Sequence, residues 1–229
     1  MTHTVDRGET RGETRGETRG LARTRMSPDQ RREAIVSAAL VVAIRKGLAS
    51  TTVRDVAAEM GTSSGLIHHY FDSMDDVLAA AFELVARQDL ENSARLMAAA
   101  AADPGGDPVA ALRAFFRSYT PADQDWAFQL WLDAWAEAAR RPALQRTSRA
   151  LNLEWQALLE RTIRDGVGAG VFRCSHPAGA AWRILSLLDG LALQVVAHGT
   201  TISREDVVAW ATGAAEGELG LEPGSLGRG

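Results

Sequence analysis

Residues 51–78 read TTVRDVAAEMGTSSGLIHHYFDSMDDVL, and the punctuation of this stretch decides the fold. Thr52-Val53-Arg54-Asp55 is a capping box: the threonine side chain accepts the third helical N–H while the acid reaches back to the cap. The helix it opens has an inner face of Val53, Val56, Ala57 and Met60 and is closed by Gly61. After Thr62, Ser63 can cap a second helix in which Ile67 and Phe71 share the buried stripe. Ser73 through Asp76 repeats the capping pattern and launches a long helix reaching about Ala101. Two short helices joined by a tight glycine turn have the shape of a helix-turn-helix. In such a unit the first helix crosses the phosphate backbone, and the start of the second faces base edges. Ser63, Ser64 and Gly65 give that start short side chains and close backbone approach, and a helix N-terminus itself favours phosphate.

Upstream, Ser27-Pro28-Asp29-Gln30 offers an N-cap serine, proline at the first helical position and a glutamine placed to complete a capping box. Ile35, Ala38, Ala39 and Val42 then recur at helical spacing until Gly47. Before Ser27 the chain repeats Arg-Gly-Glu-Thr with period four over residues 7–20. That segment has no apolar residue to bury, and residues 1–26 read as a disordered arm. It serves either as a solubilising tail or as an arm trailing Arg7, Arg11, Arg15, Arg19, Arg23 and Arg25 along DNA phosphates or a minor groove; each repeat arginine is balanced by a glutamate.

Downstream, Asp103-Pro104-Gly105-Gly106-Asp107-Pro108 is a clear break. Helices are predicted at about 108–119, 122–140, 142–166, 177–197 and 204–219, with no alternating strand. The expected architecture is all-α: a three-helix head at 27–73, a larger helical domain at 74–220, and a flexible tail at 221–229.

Bulk properties narrow the function. The chain has 229 residues, 46 % of them hydrophobic, enough for a sizeable core. Its net charge of −4 argues against a protein coated in positive charge. Residues 1–71 hold 11 Lys/Arg against 8 Asp/Glu, a net of +3, while the remainder holds 14 against 21, a net of −7. The N-terminal third is therefore the polyanion-facing part. Lys46 is the only lysine, so basic contacts fall to arginine. Cys174 stands alone, which excludes an intrachain disulfide and a cysteine metal cluster. No uninterrupted apolar run approaches the roughly 20 residues of a membrane span, and no signal-like segment opens the chain, so a cytoplasmic location is expected.

The segment 28–82 resembles the DNA-binding signature of the tetracycline-repressor-like (TetR) family: a threonine-led helix, a glycine turn, Ser64-Gly65, aromatic residues ending at Phe71, and a capped connector helix. The resemblance implies phosphate contacts from Thr52, His69 and Tyr70, and base-edge or groove contacts from Arg54, Ser64, Gly65, Leu66 and His68. Two residues depart from it. His68 stands where tyrosine is common, and Met74 where a phosphate-contacting lysine is common. Adjacent His68 and His69 point about 100° apart on a helix, so no shared metal ion is expected.

All six tryptophans lie beyond residue 125. Phe128, Trp131 and Trp135 follow helical spacing; with Trp126, Trp155 and Trp182 they either pack a core or line an effector cavity between helices. Asp133 and Glu137, one turn apart beside Trp131 and Trp135, are either solvated acids on the far side of the helix or holders of a cationic or amphipathic effector. The two last helices carry small residues on an apolar face (Gly179, Ala180, Ala181, Gly190), and the resemblance implies that this pair forms a homodimer.

The expected function is a repressor, released from a palindromic DNA operator when a small molecule moves the helix starting near Ser73. The alternative is a helical interaction module of the same fold with weak or lost DNA binding. No cofactor is implied. A phosphate-cradling glycine loop, GxSxG and HExxH are all absent from the sequence, which argues against an enzyme.

Overall fold

A computed structural model describes residues 26–105, 107–119 and 125–227. Among the described residues there are nine helices and no strand: α1 (Pro28–Lys46), α2 (Val53–Glu59), α3 (Ser64–Tyr70), α4 (Met74–Ala102), α5 (Pro108–Arg117), α6 (Asp125–Ala138), α7 (Pro142–Gly168), α8 (Pro177–Val196) and α9 (Arg204–Leu219). The Arg-Gly-Glu-Thr repeats and Pro121 lie outside the described residues, and within them α6 begins at Asp125.

The helix starts are fixed by side chains reaching for otherwise unbonded N–H groups. Ser27 Oγ accepts the Gln30 N–H at 3.1 Å, and Gln30 Oε1 accepts the Ser27 N–H at 2.9 Å. Asp55 Oδ2 accepts the Thr52 N–H at 2.9 Å, and Ser73 Oγ accepts the Asp76 N–H at 3.2 Å. Ser63 departs from expectation: it occupies the N-cap of α3 but makes no side-chain cap bond. The stops fall at Gly47 (φ +84°) and Gly61 (φ +61°), backbone conformations that glycine alone adopts without cost.

Two cores result. Ile35, Ala38 and Ala39 of α1, Val56 and Ala57 of α2, Ile67 of α3, Phe71, and Val77 and Ala81 of α4 form the core of the head. Leu78, Phe82 and Val85 of α4 belong instead to the larger core, with Leu112 and Phe115 of α5, Trp131 of α6, Leu151 and Leu159 of α7, and Leu188 of α8. The division drawn between residues 73 and 74 thus falls just before a helix that both cores share.

Residues 221–227 return onto the larger domain, which corrects the expectation of a flexible tail over them. Leu226 is 4 % exposed and sits in the larger core. Buried Glu216 accepts the backbone N–H groups of Gly224 at 2.8 Å and Leu226 at 2.7 Å, and Arg113 Nε donates to the Ser225 carbonyl at 2.8 Å. A buried carboxylate needs partners, and the returning tail supplies them.

By length and composition alone, α8 could cross a membrane. Its buried stripe of Ala180, Ala181, Ile184, Leu185 and Leu188 nevertheless packs into the larger core, and Arg183 pairs with Glu218 of α9.

Replacing Leu226 with alanine is expected to cost about 2 kcal/mol, the low end for removing a buried leucine side chain at a site near the terminus. Urea unfolding measures it, and an unchanged midpoint would return the tail to solvent.

Candidate functional site

The head exposes one polar edge. Thr52 and Arg54 at the start of α2, and Gly65, His68 and His69 on α3, are exposed; Ser64, Leu66 and Tyr70 are partly exposed. Ile67 and Phe71 point the other way, into the core. The helical period sorts these neighbours: burying Ile67 and Phe71, four residues apart, leaves Gly65, His68 and His69 outward. The end of α3 is braced from α1, where Arg32 Nη1 donates to the Tyr70 carbonyl at 2.7 Å and its guanidinium lies 3.9 Å from the Phe71 ring centroid. The His69 and Tyr70 rings meet edge to face at 5.0 Å. At the other side, Lys46 Nζ lies 2.8 Å from Asp55, whose carboxyl is held down at about 2 by Lys46 and by the Thr52 cap. Met74 packs against both cores.

The larger domain holds a cavity of about 610 Å³, partly open to solvent and bounded by α4, the end of α5, and α6 to α9. Phe128, Trp131, Trp135 and Trp155 line it. Trp126 and Trp182 do not: Trp126 is 42 % exposed over a separate small cleft beside α1, and Trp182 is 40 % exposed on the surface of α8. On α6 the helical period explains the split, because Phe128, Trp131 and Trp135 share a face that Trp126 leaves. Trp131 and Trp135 lie 5.6 Å apart, and Phe128 meets Trp135 edge to face at 6.0 Å.

The acids expected to hold a cation are employed elsewhere. Asp133 Oδ2 accepts the Leu48 N–H at 3.1 Å, in the turn between α1 and α2, and Glu137 Oε2 accepts from Arg141 Nε at 2.9 Å. The cavity receives other acids: Asp89 from α4, Asp189 from α8 and Asp125 from α6, the last paired with Arg204 of α9. Sequence reading missed Asp89 and Asp189, although Asp189 carried a signal as the only acid within the apolar stretch 177–196.

Burial lifts Asp189 to about 7 and Asp89 to about 6, a hydrogen bond from Trp131 working against the rise at Asp89. The Asp189 side chain retains some surface, but that surface faces the cavity. Tyr119 is raised well above the usual tyrosine range by burial and by the nearby charges of Asp189 and Asp89. The site is therefore an apolar, ring-walled chamber with two carboxylates and a neutral phenol.

A polar recognition edge on a small head, joined through one long helix to a larger domain with a ring-lined cavity, defines a DNA-binding regulator of the helix-turn-helix class. Comparison with known proteins gives the family. The model of "bacterial regulatory proteins, tetR family" matches residues 35–81, from the first to the last member of the head's buried core, and that of "BetI-type transcriptional repressor, C-terminal" matches residues 108–220. The HTH-type transcriptional regulator BetI of Paraburkholderia xenovorans is 30 % identical over 175 residues, 74 % of this chain and 83 % of that protein. BetI of Rhizobium meliloti is 31 % identical over 183 residues, 78 % of this chain and 84 % of that protein. A transcriptional regulator from Saccharomonospora viridis, solved in complex with choline, shares the fold with a TM-score of 0.69 at 24 % identity, over 83 % of this chain and 98 % of that one. The chain belongs to the TetR family and is a DNA-binding transcriptional regulator. The reading as an interaction module that has lost DNA binding is not favoured.

The raised acids set a pH dependence. Between about pH 4 and pH 7 the folded chain keeps protons that an unfolded chain has released, so stability falls as pH rises through that window. Thermal unfolding of the ligand-free protein is expected at lower temperature at about pH 8 than at about pH 5, and Asp189→Asn to flatten part of the slope. An unaltered slope in that variant would show that Asp189 ionises normally.

Proposed function

We propose that this chain is a homodimeric repressor that leaves a near-palindromic operator when a cation of the quaternary-ammonium class enters the ring-walled cavity. The observation that carries this reading is the pair of acids, Asp89 and Asp189, set among Phe128, Trp131, Trp135 and Trp155 with no basic side chain among the described residues paired to either. Aromatic faces and desolvated carboxylates both attract a cation that cannot donate hydrogen bonds. The choline complex of a structural neighbour supports the same ligand class.

On the DNA side, Thr52, His69 and Tyr70 take phosphates, and Arg54, Ser64, Gly65, Leu66 and His68 face the groove; these residues share the exposed edge of the head. The dimer forms through α8 and α9, where Trp182, Leu187 and Trp210 stand 38–52 % exposed, an apolar surface that a second copy would cover. Two heads so related reach successive major grooves roughly 34–36 Å apart.

Gly65→Glu separates DNA binding from folding. A Cβ there meets only Ser63 Oγ, at 3.8 Å, and the position is exposed, so the helix accepts the change and gains propensity. A carboxylate facing phosphate should nevertheless weaken binding by at least about tenfold. Fluorescence anisotropy with the chain's own upstream DNA reads this. In the same assay choline or tetramethylammonium should release the wild-type protein; if DNA affinity is unmoved at millimolar concentrations of either, the cation reading is lost.

A further inference from the structure

Among the described residues, two of the three acids at the cavity have no basic partner. Asp125 is answered by Arg204, and Arg95, on the exposed face of α4 at the rim, donates to Asn92. From α7 come Asn152 and Trp155, which carry no charge, and from the end of α5 comes Tyr119, which its surroundings hold neutral. Asp89 and Asp189 remain, on different helices, and no cation contributes to the setting of either. A monovalent cation neutralises one of them. The other must then stay protonated or keep its charge in an apolar chamber, and an unpaired charge there is costly.

We infer that the cavity is built for a dication, one positive group at Asp89 and the other at Asp189, with its apolar spacer against the rings and aliphatic side chains of the walls. This rests on the cation reading above and narrows it. The space agrees: about 610 Å³ lies in the range of drug-sized ligands, well beyond the few heavy atoms of a single small ammonium. The walls suit both parts of such a molecule. Phe128, Trp131, Trp135 and Trp155 offer ring faces to a cation, while Leu185, Ala192, Val195 and Val207 offer an aliphatic surface to a hydrocarbon spacer. The raised acids give the arrangement a proton signature. With Asp89 raised to about 6 and Asp189 to about 7, each carboxyl is at least partly protonated at about pH 6, so a ligand that engages both expels more protons than one that engages a single acid.

The test is calorimetry on the full chain at about pH 6, in two buffers of different ionisation enthalpy. Tetramethylammonium is compared with hexamethonium and decamethonium, each of which carries two trimethylammonium groups on a straight alkyl chain. The better of the two bis-quaternary compounds is expected to bind at least about tenfold more tightly than tetramethylammonium, a difference of about 1.4 kcal/mol, and to release more protons. Asp89→Asn and Asp189→Asn should each bring that compound back to within about threefold of tetramethylammonium. A bis-quaternary affinity no higher than that of tetramethylammonium overturns the dication and leaves the cation reading standing. If none of the three binds, both fall together. The wild-type comparison decides the matter even if an asparagine variant folds poorly.

Discussion

The whole molecule depends on α4 being packed on two sides at once. Over its first three turns Val77 and Ala81 face the head while Leu78 and Phe82, each one residue further on, face the larger domain. A helix advances about 100° per residue, so neighbours in sequence can serve different cores without any break in the backbone. Neither core can then relax independently, because close-packed interiors transmit a shift rather than absorb it. Met74 and Leu40, partly buried against both cores, thicken the same junction.

The cavity is wired into that junction by ring contact. Phe82 of α4 meets Trp131 of α6 edge to face at 4.8 Å, and Trp131 lines the cavity and bonds Asp89. Phe82 itself is fully buried, so it cannot yield to Trp131 by turning out into solvent. Polar contacts tie the same elements a second time: Arg141, just before α7, bonds Asp75 at 2.6 Å in the first turn of α4 and Glu137 at 2.9 Å near the end of α6.

How much of this was legible in the sequence follows from the range of each interaction. The three caps at Ser27, Thr52 and Ser73 are contacts between residues three apart, so the letters alone carry them. The exposed edge of the head follows from helical period, since Ile67 and Phe71 are apolar and the residues between are not. The cavity acids are different. Asp89 and Asp189 lie on helices that only the tertiary fold brings together, whereas Asp133 and Glu137, beside tryptophans in sequence, turn to other partners. Trp126 and Trp182 were misplaced for the same reason, since aromatic composition does not say which side of a helix faces the void. The packed tail escaped notice because Glu216 and Leu226 become partners only once the chain reverses around Gly220 and Gly224, a turn written in glycines that also mark loose ends.

Asp133 shows why a misread residue can still matter. It sits on α6, the helix whose other face presents Phe128, Trp131 and Trp135 to the cavity, and its carboxylate holds the Leu48 N–H in the turn leading to α2. That turn leaves no room for variation, since a Cβ on Gly47 would stand 3.2 Å from the same carboxylate oxygen, at a backbone angle that already requires glycine. One helix thus reads the cavity on one side and grips the head on the other. On the proposed reading, a ligand alters the spacing of the two heads only to the extent that it prefers one position of α6 over another, because equal affinity for both shifts nothing. Tight binding and effective release of DNA would then be separate properties. The first would rest on the rings and on Asp89 and Asp189, the second on how far a bound molecule displaced Trp131 against Phe82 and Asp133 against Leu48.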